Sequence, residues 1–371
     1  MNKLQLNHLS KAQFFVFLLH AQLGLAILIL PHILGKKVGH DGWISVILGI
    51  FIVQILVLLY YYIVNKYPDR TLFEITIELF GTGFGRAINF FIILYYLLYA
   101  TYIVSKCSSI LNLWIYYRTP AWVLIICFVF VCYYIVVGDI QIIGRFLVLS
   151  TVFIFMILFF LSWAAKDLHL LYILPVGEAG ITKILEGTID ATTAFAGFET
   201  FLFIHSFTKA SSRTKFKMAS LSVWIIGILY LTSTLICFMY FPNSAKNIEH
   251  AVLYLLVPMQ FTLMERIEVF FIAGWVIIMA TSYMCFLFIS CLGISQWRKR
   301  EHHKKEVASL SIVIFILATL SQTFGNATFW KWVPIIQTYC TYTMILLIPL
   351  IVACFTAIKN RKTKDVMHNE T

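Results

Sequence analysis

Residues 21–34 read AQLGLAILILPHIL, an apolar run with a glycine (Gly24) and a proline (Pro31) in its interior. The run extends from about residue 12 to 34, long enough at 1.5 Å per residue to cross a hydrocarbon core of roughly 30 Å. Glycine and proline both weaken a helix, and unwound backbone survives in lipid only where it lines a cavity. A second such stretch is FAGFET at 195–200, which sets Ala196, Gly197, Phe198 and Glu199 inside a later apolar run. Together the two stretches argue for a membrane protein with two interrupted helices.

The rest of the chain supports that frame. Apolar runs of membrane length recur near 12–34, 42–64, 87–115, 120–138, 146–165, 188–207, 218–241, 267–294, 307–323 and 333–357. Hydrophobic residues make up 61% of the chain and charged residues 12%, too little charge for the surface of a water-soluble domain. The runs are continuous, without the short alternating strands of a barrel. The expected fold is an all-α polytopic membrane protein of about ten transmembrane helices, a single integral membrane domain over residues 1–371.

Ten spans divide into two sets of five, about 12–165 and 188–357. An odd number per set inverts the second relative to the first. Each set then begins with an interrupted helix, and breaks in corresponding positions point to a binding site near the bilayer midplane. The alternative is close packing, since glycine is common in ordinary membrane helices.

Charge sets the topology. With the N-terminus inside, 19 of the 28 Lys and Arg residues fall on cytoplasmic segments, which follows the positive-inside rule and puts both termini in the cytoplasm. The net charge of +11 is spread over these loops and forms no basic domain, so no nucleic acid partner is expected. The eight cysteines fall in or beside apolar runs with no C-x-x-C pair, and no metal or cofactor is expected. No cleavage site follows the first span, so no signal peptide is expected. No nucleophile, base pair or phosphate-cradling loop gives an enzyme class a foothold. Two connections read as structured: Leu72, Phe73, Ile75, Ile77, Leu79 and Phe80 form an apolar arc at helical period, an interfacial helix, and 248–257 is a second, weaker candidate.

Among polar residues inside spans, Glu199 stands out, because an ionised acid at that depth costs at least about 2.5 kcal/mol. It can hold a proton, receive a ligand amine, pair with Lys106, or simply bond to a neighbouring helix. Lys106 can also snorkel to the interface. Gly24, Leu25 and Ala26 sit where free N–H groups at the start of a half-helix receive a carboxylate. His20 and Gln22 precede the break as candidate cavity-lining residues. Glu265, Arg266 and Glu268 form a charged start to the eighth span, which on spacing alone reads as a solvated helix end.

Several segments resemble the spore germination permease family, the B-type subunits within the amino acid, polyamine and organocation transporter superfamily. They are Leu23 to Pro31, Asp41 to Ile44, Leu72-Phe73-Glu74 after Tyr67-Pro68, Arg118-Thr119-Pro120, Phe195 to Glu199, and Glu265 to Glu268 with Trp275. The resemblance runs nearly end to end. It implies a LeuT-like fold of two inverted five-helix repeats, serving as a nutrient-sensing receptor subunit in the spore inner membrane. The implied partners are a small nutrient such as an amino acid, A-type and C-type receptor subunits, membrane lipid and further copies in an oligomer. Ligand would meet Gly24, Leu25, Ala26, Ala196, Gly197, Phe198 and Glu199, with Glu265, Arg266 and Glu268 as gate or ion-path residues. Relatives carry a second glycine where this chain has Ala26 and a hydroxyl residue where it has Ile29, so no Na⁺ site is expected. The competing functions are a proton-coupled amino acid transporter using Glu199, and a scaffold or pore subunit that binds no nutrient.

Overall fold

The computed structural model describes residues 8–241, 247–258, 266–300, 303–324 and 328–369, and every regular element among them is helical. Ser10 starts α1 (Lys11–Gln22) with a reciprocal cap: its hydroxyl accepts from the Gln13 N–H, and the Gln13 side chain accepts from the Ser10 N–H at 2.9 Å. Leu23 is extended, and α2 (Ala26–Lys37) sets off at 41° to α1. The interruption therefore falls at Leu23 to Leu25. Pro31 stays inside α2.

The next elements are α3 (Gly42–Lys66), α4 (Leu72–Trp114), α5 (Ala121–Val136), α6 (Ile140–Ser150) and α7 (Val152–Ala164). Then come α8 (Ile181–Ala194), α9 (Phe201–Ile204), α10 (Ser212–Tyr240), α11 (Ala251–Tyr254) and α12 (Ile267–Trp297). The series ends with α13 (Lys304–Thr323), α14 (Thr328–Tyr342), a π-helical turn at Thr343–Leu347, and α15 (Ile348–Asn369). Among the described residues seven helical segments are long and apolar enough to cross a membrane, and the bent α1–α2 pair makes eight. The 16-residue α5 and the interrupted α8–α9 segment fill the two remaining places in the expected order of ten. The amphipathic piece after Tyr67 exists as the start of α4, separated from the rest by Gly81. At 248–257 there is only the single turn α11.

Elements from the two halves of the chain interlock: α12 packs along α4, and α3 lies between α8 and α10. The α12 segment is the most enclosed of the spans, with Trp275 and Tyr283 fully buried. By contrast α5 and α7 present large apolar side chains outward, among them Phe130, Tyr134 and Phe155. Lipid tails are as apolar as leucine, so this surface needs no polar cover. On the side that carries the N-terminus, the chain before α1 is strapped down by a bond from Leu9 N to Phe207 O at 2.8 Å. Beside it His205 bridges Phe201 O and Tyr67 O, both at 3.0 Å.

Gly81 has φ 76° and ψ 176°, with open space where a Cβ would sit, whereas Gly83 is helical and equally open. Gly81→Ala should destabilise by about 1–3 kcal/mol through backbone conformation alone, while Gly83→Ala should be neutral or stabilise by up to about 1 kcal/mol. Thermal unfolding of both variants in detergent checks this, and equal effects would mean that Gly81 is not a real interruption.

Candidate functional site

A helix that stops inside lipid strands its last carbonyls. At the end of α1 each of four carbonyls meets a side chain from α10 or α12. Ser282 Oγ lies 2.8 Å from His20 O and 2.5 Å from Leu23 O, so its single proton is shared between the two carbonyls. Tyr230 donates its hydroxyl to Gln22 O at 2.7 Å, and Trp275 Nε1 reaches Gly24 O at 3.4 Å. A Cβ at Gly24 would stand 3.3 Å from Ser282 Oγ, which explains why the smallest residue sits there.

The second interruption touches the first. Gly197 has φ 121°, and a Cβ on it would fall on the carbonyl of Ala21, so the two backbones approach as closely as only glycine allows. Glu199 is fully buried and folds back on this turn: its Oε2 accepts from Gly197 N at 2.6 Å and its Oε1 from the Tyr95 hydroxyl at 3.2 Å. Thr200 Oγ1 donates to Gly197 O at 2.6 Å. Phe198 stacks on Tyr60 with ring centroids 5.3 Å apart.

Beside the crossing lies a cavity of about 250 Å³, on the side of the breaks away from the N-terminus. Gln22, Gly24, Leu25 and Ala26 form one wall, and Asp190 with Thr193, Ala194 and Ala196 forms the opposite one. Tyr99 and Tyr102 of α4, Phe286 of α12, and Gln337 and Thr341 of α14 close it. No side chain caps the N-terminus of α2. The partial positive end of α2 and the partial negative end of α8 thus face the same space, an arrangement suited to a small molecule with an anionic and a cationic end.

The expected residues separate into three groups. Gly24, Leu25, Ala26, Ala196 and Gln22 line the cavity. Gly197, Phe198 and Glu199 stand behind its wall and hold the crossing in shape. His20 and Lys106 are outside it: His20 bonds to Thr281 at 2.9 Å and Thr151 at 3.3 Å, and the Lys106 ammonium lies 6.0 Å from the Tyr102 ring centre. Among the described residues no ion pair joins Lys106 to Glu199, whose acid is held by Gly197 and Tyr95 instead. At the start of α12, Arg266 pairs with Glu268 at 2.9 Å and donates to Trp114 O at 3.0 Å, tying α12 to the end of α4 away from the cavity. Glu265 lies outside the described residues.

Sequence reasoning missed Asp190, the carboxylate that lines the cavity, because it sits near the edge of its apolar run. It also missed Ser282. The adjacent hydroxyls of Thr281 and Ser282 in an otherwise apolar span were the available signal.

Two interrupted helices crossing beside a cavity define a membrane protein of the LeuT-like fold class. Solved structures with this fold include MhsT in complex with L-phenylalanine, at a TM-score of 0.70 and 15% identity over 94% of this chain and 89% of that one. A Na⁺-coupled sialic acid symporter follows at 0.67 and 13% identity, covering 91% and 78%. The sequence is more particular: the pattern described as "Spore germination protein" matches residues 8–327, and the chain belongs to that family. Its relatives include spore germination protein GerQB of Bacillus cereus, 25% identical over 84% of this chain and 85% of the relative. Spore germination proteins A2 and KB of Bacillus subtilis (strain 168) are 28% and 24% identical, over 75% and 96% of this chain and 77% and 97% of theirs.

Two substitutions test the crossing. Ser282→Ala strips the donor from two buried carbonyls and should cost about 1–3 kcal/mol for the group left unpaired. Gly197→Ala forces a methyl group onto the Ala21 carbonyl and should cost at least as much. Thermal unfolding reads both, and a neutral Gly197→Ala would show that the two breaks do not touch.

Proposed function

We propose that the chain is the nutrient-sensing subunit of a spore germinant receptor, binding a small molecule such as an amino acid in the cavity between the two breaks. It would sit in the spore inner membrane with both termini in the cytoplasm and work beside A-type and C-type subunits. The observation that carries this reading is the cavity itself. It is enclosed by both interrupted helices, with the uncapped start of α2 on one side and the end of α8 on the other. Nutrient that favours one packing of the crossing over another would bias the whole subunit, and only such a difference in affinity can transmit a signal. If the assembly also passes ions, the Arg266 and Glu268 pair, with Glu265, is the candidate gate.

A second reading has a specific observation in its favour. Glu199 is a fully buried carboxylate at the second break, one hydroxyl away from the α4 face that bears Tyr99. That is the placement of a proton carrier in a proton-coupled amino acid transporter.

Binding of labelled amino acids to the full-length chain, wild type against Gly24→Trp, tests the first reading. One compound should bind saturably and be lost when the indole fills the cavity, with the variant still folded. No binding by well-folded wild-type protein would contradict it. Uptake into proteoliposomes separates the second: transport by this chain alone that collapses in Glu199→Gln would make it a transporter, and binding without uptake would make it a sensor.

A further inference from the structure

Glu199 is buried behind the cavity wall, but Asp190 faces the space directly. Asp190 Oδ2 is shielded from solvent and lies 2.7 Å from Lys37 Nζ, the one ion pair Asp190 makes among the described residues. Lys37 is the last residue of α2, one helical turn beyond Ile33, which lines the cavity. Its far side borders a second cavity of about 220 Å³, shared with Lys36, His40 and Lys183. The ion pair thus joins a residue that lines the first cavity to one that lines a second, more basic one.

We propose that Asp190 is the ammonium-binding residue of the cavity, and that Lys37 is an outer latch which a ligand's primary ammonium displaces. This rests on the reading that a small nutrient occupies the cavity, and it adds the ligand class: a molecule with a primary ammonium on a largely apolar body. Lys37 already sets a primary ammonium on Asp190, so the protein carries a tethered copy of the group it would recognise. Exchanging one ammonium for another keeps a cation on Asp190, so its carboxylate is not left unpaired. The Lys37 side chain is 41% exposed, and pairs this open are weak enough to be displaced. Once released, Lys37 stands near the like charges of Lys36 and Lys183, which favour its return when the ligand leaves.

The test is calorimetric binding to the full-length chain in lipid nanodiscs, using the proteinogenic amino acids and the deamino acid that corresponds to each. At least one amino acid should bind saturably, with its deamino counterpart about tenfold or more weaker. Asp190→Asn should weaken that amino acid by about 10- to 100-fold, down to the level of the deamino acid. Lys37→Met removes the competitor and should tighten binding. The reversed pair, Lys37→Asp with Asp190→Lys, should recover thermal stability but not binding. Wild-type affinity in Asp190→Asn, or binding restored by the reversed pair, would overturn the proposal and leave a purely structural ion pair. Failure of every amino acid to bind folded wild-type protein, or binding that persists in Gly24→Trp, would overturn the cavity reading and this proposal with it.

Discussion

The whole architecture depends on one requirement, that a backbone carbonyl or amide left open inside lipid must find a partner within the protein. Interrupting a membrane helix exposes several such groups at once. Here they are met from two neighbouring helices, with Ser282 and Trp275 on α12 and Tyr230 on α10 converging on the carbonyls that α1 releases. At the second break the chain uses its own side chains, Glu199 and Thr200, on the Gly197 N–H and carbonyl.

That economy shapes what the crossing can do. A carbonyl held by a hydroxyl has alternatives within reach, and Ser282 already stands between two acceptors. Gly197 and Ala21 are in backbone contact, so a shift of one broken helix is felt by the other without an intermediary. Packed contacts of this kind have discrete arrangements and do not deform smoothly, which is what a sensor or a transporter requires of its central element. On the proposed reading, ligand energy would enter through the difference in its affinity for those arrangements.

The sequence made the fold legible because lipid imposes a simple rule: long apolar runs must be helices. The breaks were legible for the same reason, Gly24 and Gly197 being the residues that let backbone approach a neighbour in an apolar run. Pro31 misled in detail, since its ring is tolerated inside α2 while the chain actually unwinds just before that helix. The site was only half legible. Residues that line the cavity at the break, such as Leu25 and Ala26, follow from the break itself. Those brought by distant helices, such as Tyr99, Phe286 and Thr341, depend on how the spans pack, which no local pattern encodes. Glu199 drew attention by its cost in lipid, but the structure resolves that cost by bonding it to the second break, leaving the cavity to Asp190.

The most direct measurement is a density map of the chain in a lipid nanodisc saturated with the amino acids of the binding test. The account predicts ligand density in the space between the start of α2 and the end of α8, with an acidic group near the N–H groups of Gly24 to Ala26. Density anywhere else, with this cavity filled by side chains or water alone, would contradict it.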